Sequence, residues 1–305
     1  MRIVYMGTPD FAVPALEILI DNNYNIAGVV TAPDKPQGRG LQLGESDVKK
    51  CAKKHGIPIL QPALLKSDEF ISQLHDLHAD LQVVVAFRML PEVVWNMPRL
   101  GTINLHASLL PQYRGAAPIN WAIMNGEKET GVTTFFLKQE IDTGDIILQK
   151  KEPIYDTDTA GDLYNRLKTL GAQVVLDTVQ QIADHKVSAQ PQIFDKDLKT
   201  APKIYKDMCK IPWHKNAEEV YNFVRGLAPY PTAHCTLNGN YCKIFEVEYS
   251  TEDLLSVGMI ASDQKSYLHI GCGQGYVGVK KLQMEGQKIL TINQYLSGNK
   301  VTTVL

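Results

Sequence analysis

Short apolar runs alternate with helical segments in the first half of this 305-residue chain. The runs Arg2–Met6, Ile26–Val30 and Leu81–Ala86 are almost continuously apolar, as parallel strands covered on both faces tend to be. Between the first two, Val13–Ile20 has the apolar spacing of a helix. This alternation predicts an α/β fold with a doubly wound, mostly parallel, Rossmann-like sheet.

Candidate site residues lie at the ends of the predicted strands. Gly7, Ala86 and His106 fall at or just past strand ends, where ligands of such sheets bind, so we expect one crevice to collect them. Asn104 and His106 are two apart, and alternate residues of a strand share a face. With Asp142 from a later loop, they offer an oxyanion donor and two groups that handle a proton, which acyl transfer to an amine requires.

Two longer motifs contain these three residues. Residues 104–115 read Asn-Leu-His-Ala-Ser-Leu-Leu-Pro-Gln-Tyr-Arg-Gly, and residues 142–145 read Asp-Thr-Gly-Asp. The pair resembles the folate-dependent formyltransferases, whose hallmark is Asn-x-His-x-Ser-Leu-Leu-Pro-x-x-Arg-Gly followed by Asp-Thr-Gly-Asp. The 36-residue separation of His106 and Asp142 also fits that family. The resemblance extends over about residues 1–235.

Three further segments resemble the branch of the family that acts on methionyl-tRNA. They are Met6–Ala12, Ala116–Ile119 and Glu129–Thr133. The resemblance implies transfer of a formyl group from 10-formyltetrahydrofolate to the amino group of methionine on initiator tRNA. It implies no metal, and it assigns catalysis to Asn104, His106 and Asp142.

The resemblance also assigns binding residues. We expect the folate donor to border Phe87, Arg88, Leu90, Ser108, Leu109, Leu110 and Pro111, with backbone groups recognising the pterin. Arg88 stands where the family more often has a small residue, so it is either a surface arginine, which we favour, or a contact to the folate. The methionyl end of the tRNA is expected at Gly7, Thr8, Pro9 and Phe11, with Phe11 helping to form the methionine pocket.

Two segments carry excess positive charge. Residues 33–54 hold six basic and three acidic side chains, and residues 186–215 hold seven and three. By resemblance the first is the loop that grips the acceptor stem through Arg39, although Leu41 and Gln42 stand where we expect lysines. The second contains Lys203 and Lys206, which we expect to contact tRNA. The alternative interpretation of both segments is a solvated surface.

Length favours two domains, because 305 residues exceed what one core usually supports. Pro191 and Pro202 interrupt the periodicity, which predicts a catalytic domain over 1–188, a linker over 189–206 and a second domain over 207–305. The second domain has short alternating runs between glycine-rich turns, the pattern of a small OB-like β-barrel.

Composition excludes several classes. No apolar run approaches the roughly 20 residues of a membrane span. The chain opens directly on a strand-like run, and its five cysteines are scattered without a CxxC motif, so we expect reduced thiols and a cytoplasmic monomer without a membrane partner. A metal site of His234 with Cys235 and Cys242 is conceivable, but strand packing is favoured.

The net charge of −2 confines any tRNA surface to local basic patches.

Other functions remain as alternatives. Gly7 joins a first strand to a helix, but a dinucleotide site would need three glycines there, which disfavours a dehydrogenase. Within the resembled family, a sugar-nucleotide formyltransferase, a purine-pathway formyltransferase or a formyltetrahydrofolate hydrolase would share the same trio. A catalytically idle tRNA- or folate-binding protein is disfavoured because all three residues of the trio are present.

Overall fold

The computed structural model describes residues 1–37, 42–193 and 197–305. The strands of this part are β1 (Arg2–Gly7), β2 (Asn25–Val30), β3 (Lys35–Gln37), β4 (Gln42–Gly44), β5 (Ile59–Leu60), β6 (Leu81–Val85), β7 (Thr102–His106), β8 (Arg114–Gly115), β9 (Glu129–Phe136), β10 (Ile146–Pro153), β11 (Thr200–Ala201), β12 (Ala233–Leu237), β13 (Asn240–Ser250), β14 (Ile260–Ser262), β15 (Leu268–Gly271), β16 (Tyr276–Met284) and β17 (Leu290–Thr291). The α-helices are α1 (Val13–Asp21), α2 (Asp47–Lys54), α3 (Asp68–Asp76), α4 (Glu92–Trp95), α5 (Pro118–Met124), α6 (Ala160–Ala183), α7 (Ala217–Leu227) and α8 (Ile292–Leu296). Short 3-10 helices cover Asp10–Ala12 and Lys206–Cys209.

The chain forms two compact units that interleave along the sequence. The first comprises Met1–Arg114, Gly131–Glu152 and Tyr164–Lys199, and the second comprises Gly115–Thr130, Pro153–Leu163 and Thr200–Leu305. No helix of the described residues is both long and apolar enough to cross a bilayer.

The first unit is built on a seven-stranded sheet in the order β10-β9-β7-β6-β1-β2-β5. The five strands from β5 to β7 run parallel, and β9 pairs antiparallel with β7. The strands β1 and β6 are buried along nearly their whole length, which explains their continuous apolar sequence. The prediction of a doubly wound, mostly parallel sheet is confirmed.

The strand order reverses between β1 and β6, because the chain adds β2 and β5 on one side of β1 before it places β6 and β7 on the other. Such a switch point is where open α/β sheets bind ligands. In the register of the sheet Gly7 pairs with Val85, and Val85 pairs with Leu105. The ends of three neighbouring strands are therefore level with one another, as predicted for Gly7, Ala86 and His106.

The second unit has a six-stranded antiparallel sheet in the order β12-β13-β16-β15-β14, with β17 on β16. One face of this sheet packs against α7 and α8 through a core that includes Val220, Leu227, Ile244, Leu282 and Leu296. The helix α7 begins with a capping box, in which Asn216 and Glu219 satisfy each other's backbone N–H groups. The antiparallel sheet agrees with the short alternating runs of the sequence.

Cys235 and Cys242 lie opposite each other on β12 and β13, and both are buried. His234 alternates with Cys235 along the strand and so lies on the other face of the sheet. The two thiols therefore pack in the core, as favoured from the sequence.

Candidate active site

His106 ends β7 with a buried imidazole ring, 7% exposed as a residue. Its Nε2 lies 2.8 Å from the carbonyl oxygen of Tyr113. A carbonyl only accepts hydrogen bonds, so Nε2 carries the proton and donates it. In the neutral ring Nδ1 is therefore the free base, and in the charged ring it is a second donor.

Asp142 faces that second nitrogen. Its Oδ2 lies 3.8 Å from Nδ1 of His106, with side-chain exposures of 12% for Asp142 and 8% for His106. The separation allows electrostatic attraction but exceeds the length of a hydrogen bond. Asn104 is half-buried and lies two residues before His106 on the same strand, so the two side chains share a face. The structure thus brings together the three residues that the sequence singled out for catalysis.

The loop that carries Asp142 is held by its backbone. Asp142 itself has a left-handed φ of 54°. A Cβ on Gly144 would lie 1.5 Å from the carbonyl oxygen of Phe136, so only glycine fits there. The buried side-chain amide of Gln192 donates to the carbonyl oxygens of Asp142, at 2.9 Å, and of Gly144, at 2.8 Å. These contacts fix the conformation of the loop backbone.

Arg114 extends the same network, because its guanidinium donates to the side-chain oxygen of Gln192. The arginine of the Arg-Gly motif is therefore linked to the Asp-Thr-Gly-Asp loop through Gln192, and it also interacts electrostatically with Asp142 and Glu140. Neither Tyr113 nor Gln192 was identified from the sequence. Tyr113 acts through a backbone carbonyl, and 78 residues separate Gln192 from Arg114, so no local pattern marks either one.

Hydrogen bonds hold the segment 108–111, which we expect to border the folate. Ser108 is fully buried, and its hydroxyl donates to the carbonyl oxygen of Gln112 at 2.6 Å. The hydroxyl of Thr133 donates to the carbonyl oxygen of Ser108 and accepts a hydrogen bond from the N–H of Leu110. Leu110 is buried, whereas Leu109 and Pro111 are half-buried. Of this segment, Leu109 and Pro111 present the most side-chain surface.

The other expected folate segment follows β6. Arg88 is half-buried, and its guanidinium donates to the carbonyl oxygens of Pro62 and Ala63 and lies 5.5 Å from the ring centre of Phe87. Burial lowers the pKa of Arg88 from its ordinary value. Arg88 is thus engaged with the neighbouring loop, and Leu90 is buried in the core of the first unit.

The end of β1 packs closely against the segment that follows it. A Cβ on Gly7 would lie 2.7 Å from Cβ of Ala12, which explains the glycine. Thr8 and Pro9 are half-buried, and Phe11 is buried with its ring edge-on to Tyr164 at 5.1 Å between centres.

Tyr164 was not identified from the sequence. Its hydroxyl donates to Asp10 at 2.5 Å, and Asp10 also pairs with Lys168 at 3.0 Å. Burial of Asp10 opposes ionisation, but the hydrogen bonds from Tyr164 and Lys168 outweigh it and hold the pKa of Asp10 below its ordinary value. The polar cluster fixes the turn that carries Phe11.

The two basic segments differ in how their charge is used. Arg39 and Leu41 lie outside the described residues, as does the side chain of Gln42. Each lysine of α2 has a carboxylate within 3.6 Å: Lys49 pairs with Asp34 and Glu45, Lys50 with Asp47, Lys53 with Glu45, and Lys54 with Glu17. In the second unit, Lys203 and Lys206 are exposed.

One group of metal-type ligand atoms occurs among the described residues, in Glu17, Cys51 and His55, whose atoms lie within 4.8 Å of one another. Burial, with a further contribution from Glu17, raises the pKa of Cys51 to about 11, which disfavours the thiolate that a metal requires. Lys54 already pairs with Glu17. This group gives no support for a metal centre.

Two family models match the chain. The formyl transferase model covers residues 1–179, and the model of the formyl transferase C-terminal domain covers residues 203–300. Among solved structures, WlaRD, a sugar 3N-formyl transferase determined with dTDP and 5-N-formyl-THF, gives a TM-score of 0.68 at 21% identity and covers 94% of this chain and 99% of that one. HypX from Aquifex aeolicus in complex with tetrahydrofolic acid gives 0.66 at 17% identity and covers all of this chain and 50% of that one. These two likenesses establish the fold.

Full-length relatives are much closer in sequence. The methionyl-tRNA formyltransferase of Bacteroides fragilis is 51% identical over 311 residues, covering 99% of this chain and 96% of that protein. The enzyme of the same name from Parabacteroides distasonis is 52% identical, covering 98% and 96%. The chain therefore belongs to the formyl transferase family, and within it to the methionyl-tRNA formyltransferases.

Proposed function

We propose that this chain transfers the formyl group of 10-formyltetrahydrofolate to the α-amino group of methionine carried by initiator tRNA. The observation that carries the proposal is the facing pair of His106 Nδ1 and Asp142 Oδ2, 3.8 Å apart at the end of the sheet where Asn104 also lies. Identities of about half over nearly the full length of methionyl-tRNA formyltransferases support the choice of acceptor.

The gap between His106 and Asp142 suits a reacting amine. An amine nitrogen or a water placed there can lie about 3 Å from both Nδ1 and Oδ2, within hydrogen-bond reach of each. Attack of the unprotonated amine on the formyl carbon forms the new C–N bond, and the bond from that carbon to N10 of the folate then breaks. One proton leaves the amine and one proton is needed on N10, so the reaction is balanced without any other reactant.

Each residue then has a distinct role. The side-chain amide of Asn104 donates to the formyl oxygen as negative charge develops on it. Because Nε2 of His106 is committed to the Tyr113 carbonyl, only the protonated ring can donate from Nδ1, and only the neutral ring can accept the amine proton there. The carboxylate of Asp142 stabilises the charged ring and helps to take the amine proton, directly or through water.

The surrounding segments supply the binding surfaces. We propose that Phe87, Arg88, Leu90 and Ser108 to Pro111 border the folate, with Ser108 and Arg88 acting mainly by holding backbone in place. The methionyl group is bound at the turn Gly7, Thr8, Pro9 and Phe11. Arg39, Lys203 and Lys206 are proposed to contact tRNA phosphates.

The acceptor is tested by offering three amines to the purified enzyme with 10-formyltetrahydrofolate: methionyl initiator tRNA, glycinamide ribonucleotide and an amino-sugar nucleotide. Formylation of the tRNA should exceed that of the other two at equal concentration. Preferential formylation of either small acceptor would contradict the proposal, and release of formate without an acceptor would indicate a hydrolase.

We further propose that the enzyme acts as a cytoplasmic monomer. The free cysteines Cys51, Cys209, Cys235, Cys242 and Cys272 suit a reducing compartment. All three residues of the proposed catalytic trio come from one chain. Sedimentation at working concentration tests the oligomeric state, and a dimer as the main species would contradict it.

A further inference from the structure

The outward face of the hairpin β12–β13 is polar, in contrast to its buried face. Register pairs His234 with Lys243 and Thr236 with Tyr241, and all four side chains are half-buried. Cys235, Cys242 and Ile244, which alternate with them along the strands, are buried, because successive side chains of a strand point to opposite faces. A tyrosine, a histidine and a lysine therefore share one open surface of the second unit.

This surface forms one wall of a cavity of about 530 Å³, a size typical of small-molecule sites. All lining residues belong to the second unit, and they include Lys203, Lys206 and Lys243 together with Tyr230, His234 and Tyr241. No acidic residue of the described part of the chain lines the cavity. Two acidic residues interact electrostatically with lining residues: Asp207 with Cys209, and Glu285 with Tyr241.

The segment that carries Lys203 and Lys206 is fastened at both ends. Trp121 donates from its ring nitrogen to the carbonyl oxygen of Pro202 at 2.8 Å. At the other end, Nε2 of His234 lies 3.0 Å from the carbonyl oxygen of Lys206 and donates to it. Both lysines are thus held over the hairpin, and the site needs little ordering before a ligand binds.

Among the described residues, the three lysines lack the carboxylate partners that four other lysines of the second unit have. Lys128, Lys215, Lys280 and Lys281 of the same unit each lie within 3.2 Å of a carboxylate oxygen. For the Nζ atoms of Lys203, Lys206 and Lys243, no carboxylate of residues 1–37, 42–193 or 197–305 lies within 4.0 Å. Three uncompensated positive charges around one cavity favour an anion.

Aromatic rings stand beside these charges. The rings of His234 and Tyr241 are 4.9 Å apart at a tilt of 38°, and Nζ of Lys206 lies 4.9 Å from the ring centre of Tyr241. Tyr230 is 81% exposed at the rim. Planar surfaces next to cations are the combination by which proteins hold a base together with its phosphate.

We propose that this cavity, lined by Lys203, Lys206, Tyr230, His234, Tyr241 and Lys243, binds a single phosphorylated nucleoside, with the base against Tyr241 and the phosphate among the lysines. The nucleotide comes either from the tRNA chain or from free solution. Its tRNA source rests on the proposed function, whereas the nucleotide site itself does not.

The test is calorimetric titration with adenosine 5′-monophosphate, in the absence of folate and tRNA. We expect binding with a Kd below about 1 mM, and weaker binding of adenosine and of inorganic phosphate, because each supplies only half of the ligand. Tyr241→Leu and Lys243→Gln should each weaken binding about tenfold. Tyr241→Phe keeps the ring and should bind normally, and Lys280→Gln is the matched control because that lysine is paired with Glu248.

Competition with tRNA identifies the source. Displacement of the mononucleotide by tRNA, with a raised KM for tRNA in Tyr241→Leu, assigns the site to the substrate, and absence of displacement assigns it to a free nucleotide. The inference is overturned if the mononucleotide does not bind at about 10 mM and Tyr241→Leu and Lys243→Gln, folded by circular dichroism, leave the KM for tRNA unchanged. A wild-type enzyme that binds the mononucleotide but fails to formylate methionyl-tRNA would contradict the proposed function alone.

Discussion

The strand-end site of the first unit and the lysine-lined cavity of the second are built in different ways. At the strand ends, His106 is buried and donates to the Tyr113 carbonyl oxygen, and Gln192 holds the Asp142 loop through its backbone carbonyl oxygens. The cavity is instead the open face of a hairpin, and its chemistry lies in half-exposed side chains such as Tyr241 and Lys243. Rigid positioning suits a chemical step, and an open charged surface suits binding, so changes in the first region should lower kcat and changes in the second should raise KM.

The largest expected effect is a fall in kcat when a group that faces the formyl oxygen is removed. Asn104→Ala and His106→Ala should each lower kcat by about 10² to 10³, because each removes a donor that acts on charge developing in the transition state. The Kd for the folate donor should stay within a few-fold of wild type. Rapid-quench formylation and folate titration measure the two quantities, and an unchanged kcat in either variant would remove that residue from the chemistry.

A pair of glycine substitutions sharpens the comparison. Gly144→Ala places a Cβ 1.5 Å from the Phe136 carbonyl oxygen, so the Asp142 loop must move, and we expect kcat to fall at least about tenfold. Gly226→Ala in the second unit places a Cβ 2.6 Å from Met124 between α5 and α7. It should cost about 1–3 kcal/mol of unfolding free energy while the folded enzyme keeps its kcat.

The reverse pattern, a stable Gly226→Ala enzyme with low kcat and a fully active Gly144→Ala enzyme, would show that the division between the two regions is mistaken. Urea unfolding and formylation at a temperature where both variants are folded distinguish these outcomes.

A smaller effect, on tRNA binding, is expected when the lysines of the second unit are replaced. Replacing Lys203 and Lys206 together with glutamine should raise the KM for tRNA several-fold and reduce the slope of log affinity against log salt by roughly one to two, about one per lost phosphate contact. The matched control replaces Lys49 and Lys53 of α2, which already pair with Asp34 and Glu45. An equal loss of salt dependence in the control would mean that paired lysines bind tRNA as well as unpaired ones.

The smallest effect concerns Asp10. Its pKa is held below the ordinary value in the folded protein, so the ionised group stabilises the fold above that value and the contribution is lost as pH falls through the folded pKa. Because half of the side chain is exposed, Asp10→Asn should cost less than about 1 kcal/mol at pH 7. The difference from wild type in urea unfolding should shrink below about pH 4, and a difference that grows there would be contrary to this assignment.

The elements of the first unit were predictable because each depends on local sequence. The apolar runs became β1, β2 and β6 with small changes at their ends, and Val13–Ile20 became α1, Val13–Asp21. The trio was predicted because Asn104 and His106 are spaced by the period of a strand, and because residues 104–115 and 142–145 resemble the motifs of the folate-dependent formyltransferases.

What escaped prediction depends on contacts between distant parts of the chain. The roles of Tyr113 and Gln192 rest on backbone carbonyl oxygens, which every residue has, so residue type gave no signal. The positive count of residues 33–54 overstated the free charge, since the lysines of α2 find carboxylates only after folding. The cavity of the second unit likewise depends on a strand register that brings His234 beside Lys243.

The most direct test of the central claim is single-turnover formylation of methionyl initiator tRNA by Asp142→Asn, compared with wild type and with Glu140→Gln. Glu140 is an exposed carboxylate of the same loop and controls for loss of negative charge. The account predicts a rate for Asp142→Asn about 10² or more below wild type, with Glu140→Gln unchanged and the folate Kd within a few-fold. Near-normal turnover by Asp142→Asn would contradict the assignment of the strand-end trio to formyl transfer.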